Sequence, residues 1–181
     1  MLHGKSPWQT ISRKKIYTSK FLEVFKDRVK IPKKKIIAEY FLTKKGDVVI
    51  VVATTPENKV IMLKEYKYAA NKFMHVLPAG HIQKGESTLR AAQRELLEET
   101  GYNSNHFSYL GTLYEYPTQD LHQIKVVRTK NVFKDGLVKH EPTENISIYL
   151  KPVDEIKKEI LKGKLQSCSS LGALALAGLL F

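Results

Sequence analysis

The stretch that most constrains this chain runs from Gly80 to Tyr102 and ends in Arg94-Glu95-Leu96-Leu97-Glu98-Glu99, closed by Gly101. Ser87 or Thr88 can cap a helix there, and Gly101 can end it, so the spacing predicts a helix running to about Thr100. On that helix Glu95, Glu98 and Glu99 stand at i, i+3 and i+4 and share one face. Three carboxylates on one face repel each other unless a cation lies among them. An all-oxygen set suits a hard divalent cation such as Mg²⁺, which often bridges carboxylates to phosphates. Taken alone, the same acids also describe a solvated helix face.

The remaining segments read as short strands around that helix. Alternation marks Ile11–Tyr17, Leu22–Val29, Ile36–Phe41 and Ile146–Leu150 as half-buried strands. The β-branched run Val48–Thr54 follows Gly46-Asp47 and reads as a buried strand, and Lys59–Tyr66 follows the turn signal Pro56-Glu57-Asn58. Leu110–Tyr116 and His122–Phe133 are strand candidates separated by Pro117-Thr118-Gln119-Asp120. Val153–Leu161 and Ser169–Leu180 read as closing helices, with Gly163 between them. Strands on both sides of one helix, then helices, predict a mixed α/β layered fold.

At 181 residues the chain suits one domain, or one domain with a small appendage. Its formal net charge of +12 either solubilises the surface or draws polyanions such as nucleotides. Cys168 is the only cysteine, so no intrachain disulfide is possible, and a reducing cytoplasm is expected. Met1-Leu2-His3-Gly4-Lys5 has no apolar run of the signal-peptide kind. The apolar run Leu171–Phe181 is short of the roughly 20 residues that span a bilayer and reads as the buried face of a final helix. No membrane partner is expected. His75, His81, His122 and His140 lack the spacing of a zinc site.

The frame around the acids carries a family resemblance. Gly80, Glu86, Arg94, Glu95, Leu96, Glu98, Glu99 and Gly101 fall on the fixed positions of the Nudix box, G-x5-E-x7-R-E-U-x-E-E-x-G-U, and Tyr102 fills its last hydrophobic position. Leu77-Pro78-Ala79-Gly80 resembles the entry to the box in the ADP-ribose and nucleoside-diphosphate-sugar pyrophosphatase branch of the Nudix hydrolases. Pro117, Glu65-Tyr66-Lys67-Tyr68 and the Ser-rich, then apolar, C-terminal segment resemble that branch as well. Two positions depart from it. Val76 stands where an acid is usual, and Lys67 replaces an arginine, losing the planar two-pronged phosphate contact.

The resemblance implies an α/β/α sandwich preceded by a small antiparallel β subdomain. Residues 1–43 would be that subdomain, exchanged across a homodimer, and residues 44–181 the hydrolase domain. It implies a Mg²⁺-dependent, or Mn²⁺-dependent, pyrophosphohydrolase acting on ADP-ribose or a nucleoside diphosphate sugar such as GDP-mannose. Glu95, Glu99, Glu98 and the Ala79 carbonyl are the expected metal ligands. Arg94 is expected to pair with Glu86 or a neighbouring acid, with Glu86 orienting the ligands. Glu144, then Glu141, are the expected general bases, with Glu115 a third candidate at the substrate. Lys67 is a candidate phosphate contact. Gly80, Gly85 and Gly101 are expected to serve backbone geometry.

Two other functions fit the sequence. An RNA 5′-end pyrophosphohydrolase would use the +12 charge, although no basic stripe interleaved with aromatics is present. A non-catalytic nucleotide-binding sensor is the other, and the intact Glu95, Glu98 and Glu99 set argues against it.

Overall fold

The computed structural model describes residues 6–139 and 145–180. The chain divides into two compact units, the first holding the chain up to Gly46 together with Tyr116–His122, the second the remainder.

The first unit is an antiparallel sheet of β1 (Gln9–Thr18), β2 (Glu23–Ile31) and β3 (Ile36–Lys44), in that order. Register sets Arg13 opposite Asp27. Asp27 is buried, and Arg13 Nε and Nη2 donate to its two oxygens at 2.8 and 2.7 Å. A buried carboxylate needs such a fork, because an unpaired one would lose its hydration with nothing in return. Tyr116–His122 joins this unit through Thr43. The Thr43 amide donates to the Gln119 carbonyl at 2.9 Å, and the Leu121 amide donates to the Thr43 carbonyl at 2.8 Å.

The second unit contains β4 (Val48–Thr54), β5 (Lys59–Lys67), β6 (Lys72–Val76), β7 (Ala79–His81), α1 (Thr88–Thr100), β8 (Tyr102–Asn103), β9 (Phe107–Leu113), β10 (Ile124–Lys130), β11 (Phe133–Lys134), β12 (Ile146–Pro152), α2 (Val153–Leu161) and α3 (Cys168–Leu176). Its main sheet runs β12-β5-β4-β10-β9, with β4 and β10 parallel and the other pairs antiparallel. β4 and β5 pair only at Thr54 and Val60 and then splay apart. β6 fills the opening on β5, and β7 fills it on β4. Between them the Val51 amide donates to the Pro78 carbonyl at 2.8 Å. Proline, with an acceptor and no donor, suits that wedge.

Strand alternation sends successive side chains to opposite faces, and here both faces are covered. Val49, Val51 and Ala53 pack with Ile61, Val127 and the Ala91, Ala92 and Leu96 stripe of α1. Ile50, Val52, Met62 and Val126 pack with Ile156 of α2 and with Ala173 and Leu174 of α3. The second unit is therefore an α/β/α sandwich, as the resemblance implied. Among the described residues no helix is long and apolar enough to cross a membrane.

Some boundaries differ from the sequence expectation. The strand expected over Leu110–Tyr116 lies three residues earlier, at Phe107–Leu113. Tyr116 is instead consumed by a turn, its carbonyl accepting from the Gln119 and Asp120 amides at 3.1 and 2.8 Å. The last helix spans Cys168–Leu176 rather than Ser169–Leu180, capped by Ser167 and followed by Gly178 at φ 69°. β6 was not expected, because its turn uses Asn71 in the left-handed region rather than a glycine.

Gly101 ends α1 at φ 69°, and its amide donates to the Leu97 carbonyl at 2.8 Å. A Cβ there would lie 2.6 Å from the Gly136 carbonyl oxygen. Gly101→Ala therefore meets both backbone strain and a backbone clash. It is expected to destabilise the protein by roughly 2–4 kcal/mol, read from the urea midpoint.

Candidate active site

α1 starts at Ser87, whose hydroxyl accepts from the Arg90 amide at 3.4 Å. Small Ala91 and Ala92 let the helix lie close on β4. That approach sets the acidic face of α1 against β7. The Ala79 amide donates to Glu99 Oε2 at 2.9 Å. Gly80 lies under Glu95: a Cβ built on Gly80 would fall on the Glu95 carboxylate itself. Gly80 is thus required by close approach, whereas Gly85 and Gly101 take positive φ.

Arg94 is the hub of the charges. Its Nε and Nη2 each reach Glu86 at 2.9 Å, a two-pronged pair. Its Nη1 donates to Glu95 at 2.7 Å and to Glu98 at 3.1 Å. Nη2 also donates to the His81 carbonyl at 3.0 Å, which fastens the loop to the helix. The Gln83 amide adds a donor to Glu86 at 3.0 Å. The Arg94 hydrogen bond holds the Glu86 carboxyl below its usual range. Burial pushes Glu95 up, against the opposing pull of Arg94.

The sign of the Glu86 contribution follows. A lowered folded-state pKa gives stability that is present above the unfolded value and lost as pH falls through the folded one. Lysine has one point charge and cannot reproduce the fork. Arg94→Lys is expected to cost roughly 1–3 kcal/mol at neutral pH. The part of the acid loss of stability that comes from Glu86 should also shrink in the variant, so urea midpoints should fall less steeply as pH drops through the carboxylate range.

Glu95, Glu98 and Glu99 offer oxygen ligands of the kind Mg²⁺ takes. Among the described residues no three acid, imidazole or thiol groups already form a cage. Arg94 draws Glu95 and Glu98 toward itself, and Ala79 holds Glu99. The donor set still fits a divalent cation. Half-buried Glu95 shares Arg94 with Glu86 and Glu98, and the cradle at Gly80 keeps its carboxylate against the β7 backbone.

Glu86, Arg94, Glu95, Glu98, Glu99 and Ala79 are therefore brought together. Glu98 is the most open of the acids, its side chain 43% exposed. Lys67 ends β5 and pairs with Glu65 at 2.6 Å. Glu115 is exposed in the loop after β9. Among the described residues no hydrogen bond or ion pair joins either to the α1 acids. Glu141 and Glu144 lie outside the described residues. The segment leading to them is fixed: the Asp135 and Gly136 amides donate to the Gly101 carbonyl at 3.0 and 3.3 Å, and the Lys139 amide to the Glu98 carbonyl at 2.7 Å. Sequence reasoning missed this fastening and the His81 carbonyl, since backbone partners leave no residue-type signal.

A NUDIX domain model matches residues 44–166. The chain belongs to the NUDIX domain family. This NUDIX protein is 31% identical over 109 residues to the ADP-ribose pyrophosphatase of Bacillus subtilis (strain 168), covering 60% of this chain and 58% of that one. It is 32% identical over 102 residues to the methanol dehydrogenase activator of Bacillus methanolicus, covering 56% and 55%. It is 26% identical over 93 residues to the ADP compounds hydrolase NudE of Escherichia coli (strain K12), covering 51% and 50%. The chain thus spans a little over half the length of these relatives. A crystal structure of an ADP compounds hydrolase superposes with a TM-score of 0.81 at 20% identity, covering 94% of this chain and 92% of that one, which shows the shared fold.

Proposed function

We propose that this NUDIX protein hydrolyses the diphosphate of ADP-ribose or a related nucleoside diphosphate sugar, releasing a nucleoside monophosphate and a sugar phosphate. The observation that carries the reading is the convergence of Glu95, Glu98 and Glu99 with the Ala79–Gly80 backbone on one side of α1. The similarity to an ADP-ribose pyrophosphatase and an ADP compounds hydrolase supports an adenosine diphosphate group in the substrate.

Glu95 and Glu99, with Glu98 and the Ala79 carbonyl, would hold Mg²⁺ or Mn²⁺. When bound, the metal supplies charge neutralisation on the phosphates and a more acidic water. Arg94 keeps Glu86, Glu95 and Glu98 in place and holds the His81 turn to the helix. Open Glu98 can orient water. Glu144, with Glu141 second, is proposed to take the proton of the attacking water as its oxygen bonds to phosphorus and the bridging P–O bond breaks. Lys67 and Glu115 are proposed substrate contacts.

The first-unit sheet is proposed to pair with a second copy through residues 1–43. Its support is the exposed Ile11, Ile16, Tyr17, Ile36, Ile37 and Phe41 on β1 and β3, both of them edge strands. A monomer mass by light scattering would refute it. A reducing cytoplasm is the proposed location, consistent with the exposed thiol of Cys168.

The test of function is product release from ADP-ribose, GDP-mannose, UDP-glucose, dinucleoside polyphosphates and triphosphorylated RNA, each with Mg²⁺ or Mn²⁺. Turnover of ADP-ribose or a diphosphate sugar is expected. Turnover of RNA alone would move the reading to RNA 5′ ends, which the net charge of +12 keeps in the panel. No turnover of any diphosphate overturns it.

A further inference from the structure

A cavity of about 640 Å³ opens beside α1, and Glu86, Arg94 and Glu98 form the wall it shares with the acidic face. The volume suits a small molecule. Its other walls include Arg90 from the first turn of α1, Lys139 from the segment after β11, and apolar Leu97 and Leu137.

The charges in this cavity divide into two groups. Arg94 is committed to Glu86, Glu95 and Glu98. Among the described residues Arg90 and Lys139 have no carboxylate partner. Both are nonetheless held at fixed backbone positions, Arg90 by the Ser87 cap and Lys139 by its amide bond to the Glu98 carbonyl. Their side chains are exposed, and two cations lining one cavity with apolar surface nearby can converge on a single anionic oxygen group. No aromatic ring lines the cavity, so it offers nothing for a base to stack on. It therefore fits the sugar side of a substrate rather than the nucleoside side.

We infer that this cavity is an anion subsite that reads a second negative group on the substrate, a phosphate or carboxylate carried by the sugar beyond the scissile diphosphate. The inference rests on the diphosphate-sugar reading above. It makes Arg90 and Lys139 specificity residues that take no part in bond cleavage.

The experiment compares matched pairs with Mg²⁺: UDP-glucose against UDP-glucuronate, and ADP-ribose against ADP-ribose phosphorylated on its terminal ribose. The wild type is expected to favour the acidic member of at least one pair by about 10- to 100-fold in kcat/KM, the factor a charged hydrogen bond supplies. The pair that responds distinguishes carboxylate from phosphate. Arg90→Gln and Lys139→Gln should each erase most of that preference through KM and leave the neutral member unchanged. Equal kcat/KM within both pairs overturns the subsite, as does a variant that slows both members alike. If no diphosphate is cleaved, the proposed reaction fails separately. Calorimetry on the same pairs then decides the subsite: tighter binding of an acidic member, lost in Arg90→Gln, sustains it, and equal binding overturns it.

Discussion

Replacing Glu99 with glutamine is expected to lower kcat by more than about 100-fold, beyond the roughly 10- to 100-fold that outer partners of a metal cost. Glutamine has the same length and keeps an oxygen that can accept the Ala79 amide bond seen at 2.9 Å. It removes one negative charge from a residue that is only 7% exposed. The fold should therefore hold, with a melting temperature within a few degrees of wild type, while the site loses a ligand. The measurement pairs kcat at saturating Mg²⁺ with a thermal melt. A wild-type kcat in a folded variant removes Glu99 from the metal set. Glu98→Gln is the internal comparison, and its effect should be smaller because Glu98 is the most exposed of the three acids.

Gly80→Ala should damage the site as deeply without touching any acid. The added methyl group takes the space of the Glu95 carboxylate. That carboxylate is the tip of a flexible side chain, so the chain can yield by rotating it away. Stability then changes little, and the ligand is displaced. The Mg²⁺ concentration for half-maximal activity should rise by about 10- to 100-fold, with a matching loss of kcat/KM at low metal. Unchanged metal dependence would refute the cradle. Gly85→Ala separates the two roles of glycine. Gly85 sits at φ 82° with open space around it, so that variant should lose stability and keep its metal response.

The carboxylate face was legible because helical spacing is a property of residue order alone. Glu95, Glu98 and Glu99 must share a face once Thr88–Thr100 is helical. The buried strand β4 was equally plain, since Val48–Thr54 carries a continuous β-branched run. Long-range pairings were not. Nothing in Lys72–Val76 or Ala79–His81 announces that these segments fill a wedge between splayed strands. The boundary of β9 was misplaced because Tyr116 serves a turn, and a turn can be built from residues that also suit strands. Lys67 was read as a candidate phosphate contact from its position in a motif, and its pairing with Glu65 is a neighbour that the motif does not show. Arg94 was anticipated as a partner of Glu86, but its reach to the His81 carbonyl depends on how the chain folds back and leaves no mark on residue type.

The parallel pairing of β4 with β10 bears on how the protein matures. Ile50 meets Val126, so a loop of 75 intervening residues must close before the centre of the sheet exists. Such non-local contacts are entropically slow to form. α1 lies inside that loop, and a helix of 13 residues is marginal on its own in water. During synthesis the acids of α1 therefore emerge well before the β10 strand that completes the sheet beneath them. A nascent chain stopped before Ile124 should carry the whole acidic motif and yet have no stable seat for it.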